Sequence, residues 1–392
     1  MKIGIYAFWG VNWDGSTLKA LPSHARYIQK FLEKCEKVKL FTSVARESKA
    51  TNSVEIVDPK LEVVVIPWNS YAVAFRNQYG LRNLLNKNIH DIDGMYVRLF
   101  DPCPWIVEAI CRKRNVGVVF NLVGDPVAGI MDRADWTSFG KFVRRIAFEP
   151  ERYLTHRAIR SHHLLVCGGA LTEKYKKFHP SPEMVIESTL DRHEFFFRED
   201  SFSSGELKLL FVGFLRPCKN VEMLLRAVCI LKSEGREVNL RIVGSGDPAS
   251  YVDYLKSLVV ELGIEALVTF VGYVPLGEKL LNEYRNAAIF VLPSNTEGAP
   301  RVFLEAAAQS LPIVTTDVGS ARDLFVNEQS AMIVEVNDEI GFARAISQLA
   351  DNKYLRRSCI SSSFEMASMY SCDGFIEKVI SRLRLESKKL YL

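Results

Sequence analysis

Short, almost wholly apolar β-branched segments alternate with helical segments along nearly the whole chain, and the alternation starts twice. The first series runs through strand-like Ile3–Phe8 and helical Ser23–Lys34, then strands at Lys39–Thr42, Glu62–Pro67, Gly94–Leu99, Val116–Val123 and Leu164–Cys167. Runs without polar alternation are what a parallel sheet covered on both faces requires, and strand–helix–strand units close such a sheet with right-handed crossovers. The series breaks at the polar, serine-rich stretch Arg198–Glu206. It resumes with strand Leu207–Leu215, helix Val221–Glu234, strand Val238–Val243, helix Pro248–Leu262 and strand Val268–Val274. Helix Glu278–Asn286, strand Ile289–Pro293, helix Val302–Gln309, and strands Pro312–Val318 and Ala331–Val336 follow, before helical segments at Asp338–Ala350 and from Tyr354 onward. At roughly 150 residues to a domain, the 392 residues suggest two. The pattern predicts doubly wound α/β domains at 1–200 and 207–370, and a segment 371–392 whose helix Phe375–Lys389 is expected to pack back on the first.

Composition narrows the class. Hydrophobic residues at 48% and charged residues at 24% describe an ordinary globular protein with full cores, and a net charge of +4 gives no reason to expect nucleic acid as a partner. The eight cysteines lack a Cys-x-x-Cys pair or histidines at ligand spacing, so they read as reduced thiols. The apolar run Met1–Ala7 reads as a first strand, too short for a signal peptide, and no stretch reaches the roughly 18 apolar residues of a membrane span. A cytoplasmic location is expected.

The strongest chemical signal lies in Pro293–Thr316, where a strand ends at Pro293, a loop carries Glu297 and Gly298, and a helix starting near Pro300 carries Glu305. Proline suits a first helical turn, whose free N–H groups attract anions. Glu305 sits among Val302, Phe303, Leu304, Ala306, Ala307 and Ala308, and a carboxylate in such company is costly without a polar partner. Taken alone, the two glutamates read as a solvated loop charge and a helix-surface charge. A second signal is Leu210–Asn220, where Gly213 closes a strand and Arg216 and Lys219 precede a helix, a geometry that suits phosphate. The segment from Leu240 through Gly244 and Gly246 imitates a dinucleotide fingerprint, but Val268–Val274 offers no acidic residue to hold a ribose, which disfavours hydride transfer.

The spacing of seven residues between Glu297 and Glu305, with Gly298, Pro300, Ala306 and Pro312 in register, resembles the retaining GT-B glycosyltransferases of family four. The resemblance is strong over about Leu207–Asn352. It implies a GT-B fold, two doubly wound Rossmann-like domains facing a central cleft, and sugar transfer from a nucleotide-sugar donor, UDP- or GDP-linked, with retention of configuration. By the same resemblance Glu305 holds the ribose hydroxyls and Glu297 lies beside the donor sugar as a catalytic residue. Gly213 and Lys219 approach the phosphates, Gly244 belongs to the donor site through a Gly-x-Gly turn similar to the family's, and the turn at Tyr273 and Val274 meets the base. The backbone of Gly298, Ala299, Pro300 and Arg301 lines the sugar and diphosphate. One position departs from the pattern: the family's first cation is replaced by Phe214, and Arg216 stands two residues later.

In the first domain the resemblance assigns acceptor binding. Gly10–Gly15 takes the place of the family's glycine-rich loop, so Gly15 is an acceptor candidate. Asp125, at the end of a buried strand, is a catalytic candidate with an ordinary Asp-Pro turn as the alternative. Arg98 either meets an anionic acceptor or pairs with Asp101. Asp91–Ile92–Asp93 has the form of a metal-binding Asp-x-Asp but precedes a strand rather than ending one, so it reads as a loop, and no metal or cofactor is expected. The implied acceptor is a saccharide or a lipid-linked molecule in polysaccharide or glycoconjugate synthesis. A nucleotide-sugar epimerase and a non-catalytic donor-fold subunit are the rival readings.

Between Trp136 and Lys177 basic residues outnumber acidic ones, and Trp136, Phe139, Val143 and Ile146 recur at helical spacing. Such a helix either rests peripherally on anionic lipid at the inner face of a membrane or packs on the core with its basic face in water.

Overall fold

The computed structural model describes residues 1–44, 53–68, 70–131, 136–246 and 249–389; Asp247 and Pro248 of the Gly-x-Gly segment lie outside them. Two compact units emerge: Met1–Ile186 together with the chain from Cys372, and Glu187–Ser371.

The first unit is built on strands β1 (Lys2–Tyr6), β2 (Asn12–Trp13), β3 (Leu18–Ala20), β4 (Lys37–Ser43), β5 (Val54–Ile56) and β6 (Leu61–Ile66). Strands β7 (Gly94–Leu99), β8 (Gly117–Leu122), β9 (His163–Cys167) and β10 (Glu183–Val185) complete it. Its helices are α1 (Pro22–Lys34), α2 (Tyr71–Arg76), α3 (Gln78–Asn88), α4 (Pro104–Lys113), α5 (Pro126–Met131), α6 (Ser138–Ile159) and α7 (Gly169–Tyr175). Seven strands form a parallel sheet in the order β10-β9-β8-β7-β1-β4-β6. Its β1, β4, β7 and β8 are buried almost throughout, as their apolar runs require. A small antiparallel sheet, β2-β3-β5, is the element that periodicity did not reveal, because two- and three-residue strands carry no repeat to read.

In the second unit, β11 (Leu207–Val212), β12 (Val238–Val243), β13 (Val268–Gly272), β14 (Ile289–Leu292), β15 (Ile313–Thr316) and β16 (Met332–Val334) form a parallel sheet. The order is β13-β12-β11-β14-β15-β16. Helices α8 (Val221–Ser233), α9 (Ala249–Glu261), α10 (Glu278–Asn286), α11 (Arg301–Ala308), α12 (Ala321–Leu324), α13 (Glu339–Asp351) and α14 (Lys353–Ser368) accompany it. The last helix, α15 (Cys372–Lys389), belongs to the first unit and lies on β7 and β8. Glycine makes that approach possible, since a Cβ on Gly117 would stand 2.6 Å from the Ser387 nitrogen. Burial of Phe375, Ile376, Val379, Ile380 and Leu383 provides the driving force.

The division between units falls at Ile186, upstream of the polar stretch 198–206 expected to be the linker. The first part of that stretch, Arg198, Asp200 and Ser201, serves the second unit's interior, while 203–206 are exposed. Arg198 donates to the carbonyls of Arg285 and Ala287 at 2.8 Å each, and Ser201 donates to that of Ala288 at 2.6 Å. Asp200 accepts both arms of the buried Arg356 guanidinium, at 2.5 and 3.0 Å. Among the described residues no helix is long and apolar enough to cross a membrane.

Candidate functional site

In the second unit the chain leaves β11 toward β12 and β13, then returns to the other side of β11 as β14. Loops leaving the carboxyl ends of β11 and β14 therefore diverge, and a doubly wound sheet binds ligands in the crevice so opened. Of the donor-side residues singled out from the sequence, Gly213, Arg216, Lys219 and Glu297–Pro300 sit on those two loops, Gly244, Tyr273 and Val274 on the turns beside them, and Arg301 and Glu305 in α11.

After β11, Gly213 donates its N–H to the carbonyl of Val243 at 3.0 Å, and Gly244 donates to that of Gly272 at 2.8 Å. Three strand ends are thus tied side by side. Gly244 has φ +151°, and a Cβ there would fall 1.8 Å from the Gly213 carbonyl oxygen, so only glycine permits the approach. Gly272, at φ +82°, makes the turn that presents Tyr273 and Val274; Tyr273 is 39% exposed, and burial of the rest of its ring raises the hydroxyl's pKa. Phe214 is exposed, and the Arg216 guanidinium lies over its ring with 5.4 Å to the centroid.

A short 3₁₀ turn at Pro217–Lys219 then brings Lys219 to Glu297. The ammonium makes a close ion pair with Glu297 Oε1, and Ser294 Oγ donates to the same oxygen at 2.7 Å. The two loops are fastened by the Asn295 N–H on the Cys218 carbonyl at 2.8 Å, and by Asn220 Nδ2 on Asn295 Oδ1 at 2.8 Å. Gly298 is held from a third side, because its carbonyl accepts from the Ser320 N–H at 2.9 Å and a Cβ on Gly319 would come within 2.3 Å of that oxygen. Pro300 caps α11 without a side-chain bond, and Arg301 opens the helix, so Gly298, Ala299 and Pro300 form the approach to its amino end.

Glu305 lies one turn into α11 and is 7% exposed. Its two oxygens accept from the Thr189 hydroxyl at 3.0 Å and the Tyr284 hydroxyl at 2.8 Å. Burial first, and the carboxylate second, hold the Tyr284 hydroxyl well above its ordinary pKa, so it serves Glu305 only as a donor. Thr189 and Tyr284 escaped the sequence reading. A tyrosine on the apolar side of α10 looks like core, and the available signal was the question of what satisfies a carboxylate inside an apolar helix.

The candidates of the first unit are each tied into local structure. Asp125 accepts from the Val127 N–H at 2.9 Å, opening α5, and pairs closely with Lys174. Gly15, at φ +103°, sits at the tip of the β2–β3 hairpin, whose turn Asp14 fixes by accepting from Ser16 and Thr17. Arg98 stands near the carboxyl end of β7, where its charge partly offsets the burial that raises the pKa of Asp101. Asp101 in turn accepts the Phe8 N–H at 3.0 Å, joining the ends of β7 and β1. Both carboxylates of the Asp-x-Asp segment are engaged. Burial works to raise Asp91, but Lys37 and Lys39, at 2.7 and 2.6 Å, outweigh it and bring the pKa down to about 2. Asp93 accepts the Lys2 N–H at 2.7 Å. Among the described residues no group of three or more His, Cys, Asp or Glu side chains is placed to hold a metal ion.

Residues 193–366 match the glycosyl transferases group 1 family. A D-inositol 3-phosphate glycosyltransferase of Nocardia farcinica is 27% identical over 248 residues, covering 61% of this chain and 54% of that protein. The chain spans about half the length of the curated relatives it matches. Among solved structures, sucrose-phosphate synthase of Thermosynechococcus elongatus superposes with a TM-score of 0.73 at 16% identity, covering 98% of each chain. Anabaena HepE in complex with UDP gives 0.69 at 14% identity, over 97% of this chain and 98% of that one. Those likenesses identify the fold as GT-B, two Rossmann-like domains in one chain, and the sequence match assigns the region 193–366 to the glycosyl transferases group 1 family.

Proposed function

We propose that this protein transfers a sugar from a UDP- or GDP-linked donor to a saccharide or lipid-linked acceptor with retention of anomeric configuration. The observation that carries the reading is the meeting of Lys219 and Glu297 at the carboxyl ends of β11 and β14, with Glu305 one turn inside the adjoining helix. UDP in the HepE complex supports a nucleotide donor for this fold. In this reading Lys219, Arg216 and the amino end of α11 neutralise the leaving diphosphate. Gly213, Gly244, Tyr273 and Val274 border the nucleotide, and Glu305 accepts from the ribose hydroxyls. Glu297, with the backbone of Gly298 to Arg301, orients the sugar. The departing phosphate takes the acceptor's proton, and no protein nucleophile is required. Gly15, Arg98 and Asp125 are assigned to the acceptor side. The protein works in the cytoplasm on polysaccharide or glycoconjugate synthesis, reaching lipid-linked acceptors through peripheral membrane contact within 136–177.

The test is incubation of the purified chain with a panel of UDP- and GDP-sugars and candidate acceptors, with the anomeric centre of the product read by proton NMR. A product of inverted configuration overturns retention. A protein that no nucleotide sugar stabilises against heat, and that yields no product, overturns the donor assignment.

A further inference from the structure

The two halves of α6 are unlike. The second half is anchored: Phe148, Glu151, Thr155, Ala158 and Ile159 are buried. Glu151 accepts from the Cys103 N–H at 2.6 Å and from Trp105 Nε1 at 2.9 Å. In the first half every residue from Phe142 to Ala147 is exposed. Phe139 is 76% exposed, Phe142 59%, Val143 46% and Ile146 55%. Spaced at i, i+3, i+4 and i+7, these four line one face of the helix.

The opposite side and flanks carry Lys141, Arg144 and Arg145, and no acidic residue occurs between Trp136 and Ala147. Arg144 lies over the Trp136 ring at 4.0 Å, which fixes an aromatic and a cation together at the start of the helix. Further along, Glu149 is taken by Arg152 and Glu151 is buried, while Arg157 and Arg160 stay exposed. The outward charge of α6 is therefore positive beside an uncovered apolar stripe. The expected alternative of a core-packed helix with only its basic face in water does not describe this half.

We propose that Ser138–Ala147 docks in the plane of an anionic lipid surface, with Phe139, Phe142, Val143 and Ile146 in the acyl boundary and Lys141, Arg144 and Arg145 among the headgroups. Four large apolar side chains uncovered along one helix face point to an interaction site, and an apolar face with cations opposite is the pattern of interfacial helices. A second copy of the chain is the less suitable cover, because pairing the stripes brings two sets of cations together. The inference extends the lipid-linked acceptor reading above by naming the surface and the residues that meet it.

The full chain is sedimented with phosphatidylcholine vesicles, with and without phosphatidylglycerol, in the absence of donor and acceptor. Binding only to the phosphatidylglycerol vesicles, weakening as salt rises, is the expected result. Phe142→Ser with Ile146→Ser, and separately Arg144→Gln with Arg145→Gln, should each lower the bound fraction by about tenfold or more with an unchanged circular dichroism spectrum. All four side chains are exposed, so folding is not at stake. Absence of binding to anionic vesicles, or binding indifferent to both double variants, overturns the proposal. So does a dimer in sedimentation velocity that the apolar variant abolishes, which assigns the face to a second copy. Since no sugar transfer is measured, failure here leaves the transferase reading standing, and failure of transfer leaves the docking result standing.

Discussion

Lys219 and Glu297 form an ion pair that joins the loop after β11 to the loop after β14, and Ser294 donates to the carboxylate oxygen they share. A bound diphosphate would compete with Glu297 for that ammonium. Glu297→Gln should therefore leave affinity for UDP or GDP unchanged or tighten it slightly, by about 0–1 kcal/mol, the usual worth of a partly exposed ion pair. Turnover should fall by about 2–4 kcal/mol of barrier if the carboxylate orients the sugar in the transition state. Calorimetric titration with the nucleotide and steady-state rates check the two halves separately; a loss of affinity as large as the loss of rate reverses the role.

Arg216 rests on the ring of Phe214, the residue that replaces the expected cation. If both cations serve one diphosphate, Arg216→Ala should cost about 2–4 kcal/mol in turnover and Lys219→Ala a similar amount, with the double variant losing less than the sum. Phe214→Ala, which removes only an exposed cation–π support, should cost about 0.5–1 kcal/mol. Rates for the four variants decide whether Arg216 is the substitute cation or a solvated loop residue.

Tyr284→Phe removes one of two hydroxyls that satisfy the buried Glu305. The expected result is a loss of about 1–3 kcal/mol in stability, from a carboxylate left short of a donor. Nucleotide binding should weaken alongside as Glu305 loses its fixed orientation. Urea unfolding and calorimetry of the variant test both effects, and Glu305→Gln should weaken nucleotide binding without rescue by Tyr284→Phe.

The doubly wound fold was legible because buried parallel strands admit almost no polar residue, so β8 or β14 announces itself within six residues or fewer. That Glu305 needs polar partners was legible for the complementary reason that an acid in an apolar helix demands an explanation. Thr189 and the stretch from Arg198 to Asp200 were not, since a polar side chain that satisfies buried carbonyls has the same composition as one in water. Which of the two faces of α6 the fold would cover was equally beyond periodicity, because the pattern marks an apolar stripe without naming its cover.

On α15, Glu386 accepts from His162 Nδ1 at 3.2 Å, while His162 Nε2 faces Glu108 at 3.3 Å. Burial works to lower the His162 pKa, but the two carboxylates outweigh it and raise it above its ordinary 6.5. Its contribution to stability is therefore complete below pH 6.5 and is lost as pH rises through the folded value. For Glu386, burial is likewise outweighed by His162, Lys389 and His163, which bring it to about 2. Its contribution is complete above its ordinary 4.5 and is lost as pH falls toward 2. The thermal-stability deficit of His162→Gln relative to the native chain should accordingly be largest between pH 4.5 and 6.5 and shrink on the alkaline side. A deficit that grows as pH rises above 6.5 contradicts the assignment.

The return of α15 to β7 and β8 sets the order in which the protein can be completed at the ribosome. All of Glu187–Ser371 is synthesised before the helix that covers those strands exists, so the later unit has its whole sequence available first. Throughout that interval the earlier sheet carries an open apolar face where Phe375, Ile376, Val379, Ile380 and Leu383 will sit. Exposed surface of that kind is what chaperones bind and what aggregates. Arrival of α15, rather than emergence of the first half, is the moment at which the N-terminal sheet becomes a closed domain.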